Sequence, residues 1–284
     1  MLPLPKILVP VDFSESARGA VRWAGYLGCR LRSELTLLHV ACTADEDQWR
    51  RRAEGLLETL LPGEMRCPNA RPSVRSGDPA EEIAALARRE NSSLIVMATH
   101  GDGPFHPLVL GSVASAILRD VHCPVVTGIH RRNSFPAATP RIQNILCAVE
   151  LGEEGANALK WAARLAGEFK ARLVLVHITP SSEGGDSAYF DPERRRYWVT
   201  EARQENFAAC ARRRLEEMQR AAGANAGILI QSSMDVPRAV CEAAARMASD
   251  LVVIGRGPAM SPAGRLRTTA GSIIRQAPCP VLSV

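Results

Sequence analysis

The sequence predicts an α/β protein made of two tandem doubly wound domains, each a parallel sheet flanked by helices. Two observations carry that prediction: an internal repeat spanning nearly the whole chain, and an alternation of short apolar runs with amphipathic stretches. Lys6-Ile7-Leu8-Val9-Pro10-Val11-Asp12 aligns with Asn144-Ile145-Leu146-Cys147-Ala148-Val149-Glu150. At the same offset Ala20 meets Ala158, Trp23 meets Trp161, and Leu38-His39-Val40 meets Val176-His177-Ile178. Later, Leu94-Ile95-Val96-Met97 matches Leu251-Val252-Val253-Ile254, and Cys123-Pro124-Val125 matches Cys279-Pro280-Val281. Between the copies, residues 133–140 carry two prolines and few core-forming side chains, the signature of a linker. The expected division is 1–132, a linker at 133–140, and 141–284.

Each copy contains five apolar runs. In the first they cover 6–11, 35–40, 71–76, 94–98 and 124–128; in the second, 144–149, 173–178, 227–231, 251–254 and 280–284. Most are nearly continuous in Val, Ile and Leu, as strands are when helices cover both faces. Between those of the first copy, 16–31, 46–61, 79–90 and 112–120 read as helices, with Ser14 or Ser16 and Asp78 as N-caps. Strands and helices alternating at these lengths imply parallel sheets with right-handed crossovers.

Composition narrows the class of protein. Of 284 residues, 46% are hydrophobic and 23% charged, the balance of a globular chain with room for two cores. The net charge of +5 is mild, and only three of the 35 basic residues are lysine (Lys6, Lys160, Lys170). The arginine triplets 194–196 and 212–214 read as the solvated face of one long helix, and no set of stacking aromatics accompanies them, so a nucleic-acid partner is not expected. Eight cysteines are scattered with no Cys-x-x-Cys pair, which suggests neither a disulfide framework nor zinc, and hence a reducing cytoplasm. The two-proline N-terminus does not read as a signal peptide, and no apolar run approaches membrane-spanning length.

In a doubly wound sheet, ligands bind beyond the carboxyl ends of the strands, where strand order reverses. Three features of the first copy converge there. Asp12 closes the first strand, after Pro10 and Val11, and its carboxylate can accept from a ribose hydroxyl or an adenine amino group. Val40 closes the second, where backbone amide and carbonyl can read an adenine edge. After the fourth come Ala98-Thr99-His100-Gly101, nine residues, and then Gly111-Ser112-Val113 opening a helix. Glycines let the backbone approach phosphate oxygens, and a helix N-terminus offers free N–H groups and the positive end of its dipole.

With those residues in view, the chain resembles the universal stress protein family. The resemblance rests on Pro10-Val11-Asp12, Gly77-Asp78-Pro79, Thr99-His100-Gly101-x9-Gly111-Ser112-Val113-Ala114 and Cys123-Pro124-Val125-Val126, and it extends over both halves. It implies five-stranded parallel sheets in the order 3-2-1-4-5. It also implies that ATP is bound in those members that carry a Gly-x-x-Gly-x9-Gly-Ser/Thr loop. The family commonly dimerises through its last strand, so the two halves of a tandem chain can imitate that dimer. By this resemblance Asp12 and Val40 would hold the nucleoside and Gly101, Gly111, Ser112 and Val113 the phosphates, with Pro10, Val11, Ala98 and His100 also in the binding site and Mg²⁺ as a companion ion.

The halves depart from that pattern unequally. In the first, Ala98 stands where the motif has its first glycine. In the second, Glu150 replaces the aspartate, Pro258 replaces the loop glycine and removes an N–H donor, and either Arg267-Thr268 or Gly271-Ser272 stands at the start of the last helix. Arg256, Arg265 and Arg267 read as solvated surface arginines, with holding an anion by charge as the alternative. His39 and His177 read as satisfied core residues, Trp23 and Trp161 as packing, and the histidines around the loop lack zinc spacing. The Gly/Ser-rich insert 181–191 reads as a flexible loop, or a lid. No nucleophile, base and orienting group come together, and the first loop lacks the lysine that phosphoryl transfer commonly uses. The expectation is a cytoplasmic stress-response protein that binds ATP in its first half. The rivals are an interaction scaffold without nucleotide, working as a homodimer or through a protein partner, and a slow ATPase.

Overall fold

The computed structural model describes residues 4–41, 46–60, 69–99, 110–127, 140–179, 187–191, 195–199, 201–256 and 268–284. In the first half, β1 (Lys6–Pro10), β2 (Glu34–Ala41), β3 (Ala70–Ser76), β4 (Leu94–Val96) and β5 (Val125–Thr127) alternate with α1 (Glu15–Leu31), α2 (Glu46–Leu60), α3 (Pro79–Arg89) and α4 (Ser112–Asp120). The sheet order is β3-β2-β1-β4-β5, all parallel. The fourth strand stops at Val96, two residues before the sequence reading places its end, which leaves Met97 and Ala98 in the turn toward the cleft.

The second half repeats this plan with β6 (Asn144–Ala148), α5 (Glu153–Phe169), β7 (Arg172–Thr179), α6 (Glu201–Ala221), β10 (Gly227–Ser232), α7 (Val236–Arg246), β11 (Leu251–Ile254), α8 (Thr268–Gln276) and β12 (Val281–Ser283). Its order is β10-β7-β6-β11-β12. Two further strands, β8 (Ser187–Asp191) and β9 (Arg195–Val199), pair antiparallel in a separate ribbon. This corrects two expectations. Residues 187–191 are strand rather than loop, and Arg195 and Arg196 belong to a strand rather than to a helix face. The aromatic pairs Tyr189-Phe190 and Tyr197-Trp198 favour extended backbone over helix. Arg212, Arg213 and Arg214 do lie exposed on α6.

Three helices, α1, α3 and α7, start where a short polar side chain caps them. Ser14, not Ser16, caps α1, its Oγ accepting from the N–H of Ala17. Asp78 caps α3 by accepting from the N–H of Glu81, with Pro79 as the first helical residue. Gly77, just before, has φ +143, which only glycine adopts without strain. Since α4 and α8 each span nine residues, Thr268 is the counterpart of Ser112, and Gly271-Ser272 falls inside α8.

The two sheets join into one of ten strands. β5 and β12 pair antiparallel, with Val281, Leu282 and Ser283 opposite Thr127, Val126 and Val125. Behind this seam Trp23, Leu27 and Leu31 of α1 meet Trp161 and Leu165 of α5. Trp23 and Trp161 thus cement the halves to each other. The Tyr26 hydroxyl accepts from the N–H of Ile142 at 3.1 Å, and its ring stacks on Phe169 with centroids 5.5 Å apart. Both buried apolar clusters contain residues of both halves. Among the described residues, no helix is long and apolar enough to cross a membrane.

Candidate nucleotide cleft

The first half carries a cleft of about 270 Å³ beyond the carboxyl ends of β1, β2 and β4. Pro10, Val11 and Asp12 form one wall, Val40 another, and Ala98 with Gly111, Ser112 and Val113 a third. Eight of the expected site residues therefore meet around one cavity. His100 and Gly101, the other two, lie outside the described residues, as do Pro258, Arg265 and Arg267.

Local hydrogen bonding orients the acidic residue. Asp12 Oδ1 accepts from the Ser14 backbone N–H at 3.0 Å and from the Ser14 hydroxyl at 2.5 Å. Both bonds fall on one oxygen, which fixes the plane of an otherwise exposed carboxylate. The turn requires a left-handed backbone at Phe13 (φ 63), an uncommon conformation for a non-glycine residue. Val40 is two residues beyond Leu38 on the same edge of β2. The Leu38 carbonyl accepts from the Val11 N–H at 2.8 Å, and β1 ends before it reaches Val40. The Val40 backbone is thus left facing the cleft rather than a neighbouring strand.

Sequence reasoning missed the cleft floor. Leu38, His39, Ile83, Met97 and Ala114 line it together with Ala17, Pro79 and Thr99. Ile83 follows Pro79 by one helical turn on the buried face of α3, a spacing that could have identified it. His39 is 9% exposed, and its Nδ1 lies 2.8 Å from the Val11 carbonyl oxygen. A carbonyl can only accept, so Nδ1 carries the proton and His39 is satisfied as a core histidine would be. It is also part of the cleft wall. Beside it, Phe13 and Trp49 stack at 5.7 Å, and the Arg52 guanidinium sits 4.6 Å from the Phe13 centroid.

Among the described residues, three helix N-termini reach this cleft, and they differ. Those of α1 and α3 are closed by Ser14 and Asp78. That of α4 begins at Gly111, which has no side chain to cap with, and the first helical bond runs from the Ser115 N–H to the Gly111 carbonyl at 2.9 Å. Among the described residues, nothing accepts from the N–H groups of Ser112, Val113 and Ala114. Gly111 is itself held by its N–H donating to the Thr99 carbonyl at 2.8 Å. An apolar floor, an oriented carboxylate and an uncapped helix start suit a flat polar ring joined to a sugar and an anionic tail. Among the described residues, no three His, Cys, Asp or Glu side chains gather into a metal site.

The second half has a counterpart cleft of about 180 Å³, lined by Val149, Glu150, His177, Ile178, Val240 and Thr269 among others. His177 repeats the contact of His39, with Nδ1 2.8 Å from the Val149 carbonyl oxygen. Arg256 is not the solvated surface residue the sequence suggests. It is half-buried, and its guanidinium donates to the carbonyls of Leu118, Val121 and Cys123 in the first half. Those oxygens, at the end of α4 and just after it, need a donor there more than the arginine needs water.

Comparison with known proteins follows the same lines. The model of the universal stress protein family matches residues 4–127 and again 141–284. Universal stress protein Rv2623 of Mycobacterium tuberculosis is 28% identical over 193 residues, covering 60% of this chain and 62% of its own. The chain thus spans a little under two thirds of that relative. A universal stress protein from Archaeoglobus fulgidus superposes with a TM-score of 0.67 at 22% identity, covering 98% of this chain and 95% of that one. Protein PA1789 of Pseudomonas aeruginosa, of unknown function, superposes at 0.70 and 19% identity, covering 99% of this chain and 92% of its own. At these identities the two structures speak for the fold. The family model matches each half separately, and so the chain belongs to the universal stress protein family, of which it holds two copies in tandem.

Proposed function

We propose that the first half binds an adenine nucleotide, with ATP as the ligand, and that the second half is a divergent partner completing a dimer-like body within one chain. The observation that carries this reading is the uncapped start of α4 at the rim of the larger cleft. The adenine would lie over the floor of Ile83 and Met97 with its edge at Val40. Asp12 would accept from the ribose, and the N–H groups of Ser112 and Val113 with the Ser112 hydroxyl would hold phosphate oxygens. Mg²⁺ would accompany the phosphates. The reading is one of binding.

Ser112→Asp separates binding from folding. A carboxylate in the first turn of α4 favours the helix by up to about 1 kcal/mol through the dipole, yet repels phosphate. Calorimetric titration with Mg-ATP and with adenosine is expected to show ATP affinity falling at least tenfold, adenosine affinity unchanged, and the melting temperature not lowered. Wild-type protein that binds neither ligand at millimolar concentration would overturn the proposal and favour a scaffold without nucleotide.

A further inference from the structure

We infer that Arg256 of the second half is a positioning residue for the anion-holding end of α4 in the first half, so that the second half sets how tightly the first holds phosphate. The inference rests on the nucleotide reading above and deepens it. The relevant geometry lies at the two ends of a nine-residue helix. At its start, the Gly111 N–H is held by the Thr99 carbonyl. At its end, Arg256 Nη1 donates to the carbonyls of Leu118 at 3.3 Å and Val121 at 3.1 Å, and Nη2 to that of Cys123 at 2.7 Å. Arg256 follows Ile254-Gly255 as Thr99 follows Met97-Ala98, so it is the repeat counterpart of Thr99. The same place in the two copies therefore anchors opposite ends of one helix.

Several features make this more than a surface contact. The Arg256 backbone is pinned, its N–H donating to the Val284 carbonyl at 2.9 Å and the Val284 N–H to that of Ile254 at 3.0 Å. Among the described residues the guanidinium has no carboxylate partner, and its hydrogen bonds end on carbonyls of the first half. A cation at a helix C-terminus and an anion at its N-terminus are both favoured by the same dipole. A helix of this length is only about 14 Å long, and Ala114, Ile117 and Leu118 seat it in the core, so a shift at one end reaches the other. A planar guanidinium serves three carbonyls in a way an ammonium cannot.

The test compares wild type, Arg256→Met and Arg256→Lys in the full chain, by titration with Mg-ATP and adenosine and by amide hydrogen exchange without ligand. For Arg256→Met the expected result is faster exchange in α4 and ATP affinity lowered about tenfold, with adenosine affinity unchanged. Arg256→Lys, which keeps the charge on a slightly shorter side chain, is expected to fall between and stands in if the methionine variant does not fold. Equal ATP affinity in wild type and both variants would overturn the inference, as would parallel losses for ATP and adenosine, the mark of a merely structural role. Wild type binding neither ligand would instead sink the nucleotide reading, and this inference with it.

Discussion

Gly155 lies so close to the Glu150 backbone that a Cβ there would stand 1.7 Å from the Glu150 carbonyl oxygen. Its repeat counterpart is Ala17, whose methyl group lines the first cleft. Glycine thus lets the first turn of α5 settle onto the end of β6, and the second cleft is the smaller, at about 180 Å³ against about 270 Å³. Gly155→Ala is expected to destabilise the protein by about 1–3 kcal/mol, the usual cost of an overpacked site. Urea denaturation checks it. A neutral effect would mean that the β6–α5 turn relaxes freely.

Ser14 has two duties that one substitution can separate. Its Oγ accepts from the Ala17 N–H as the α1 cap and donates to Asp12 Oδ1. Ser14→Ala is expected to cost about 1 kcal/mol of stability for the cap. If Asp12 holds a ribose, the variant should also weaken adenosine binding several-fold, because the carboxylate loses one of the two bonds that orient it. Ser14→Asp should restore the cap and not the binding. Titration with adenosine beside a urea curve distinguishes the two losses.

How much of this was legible in the sequence depended on how local the signal was. The inner strands were readable because both of their faces are covered, which forces runs such as Ile7-Leu8-Val9 and Val252-Val253-Ile254. Asp12, Val40, Gly111 and Ser112 were readable because strand ends and helix starts have fixed places in this topology. Arg256 was not. Its acceptors lie more than a hundred residues earlier and across the β5–β12 seam, so no local pattern marks it as anything but a surface cation. The ribbon of β8 and β9 was missed because Gly and Ser before it suggested a loop, while the aromatic pairs that favour strand follow.

Cys147 gives the stability a pH dependence. It is fully buried on β6, where burial pushes its thiol well above the usual range. The folded state keeps the proton after the unfolded chain has lost it. Stability from this group is therefore intact below the ordinary thiol pKa of about 8.5 and declines as pH rises beyond it, by about 1.4 kcal/mol per pH unit. Val9, its repeat counterpart, is equally buried, so Cys147→Val should fit without strain. Urea midpoints measured from pH 7 to pH 10 should fall less steeply for the variant than for wild type. Parallel curves would show that Cys147 does not set the slope.

The seam between the halves predicts how the chain unfolds. Leu282 is 2% exposed, pairs with Val126, and sits in a buried cluster that also holds Trp23 and Leu165. Ser283 Oγ donates to the Val125 carbonyl beside it, and Tyr26 holds Ile142 on the far side of the core. Neither half has a complete core without the other. Wild type should therefore melt in one calorimetric transition, with calorimetric and van't Hoff enthalpies equal. Leu282→Asp places an unpaired charge in the seam, at a cost of about 3–5 kcal/mol. It should lower the melting temperature while keeping a single transition, since neither half retains a complete core once their union is lost. Two transitions in wild type would show instead that the halves fold independently, with the β5–β12 ladder a mere contact between finished domains.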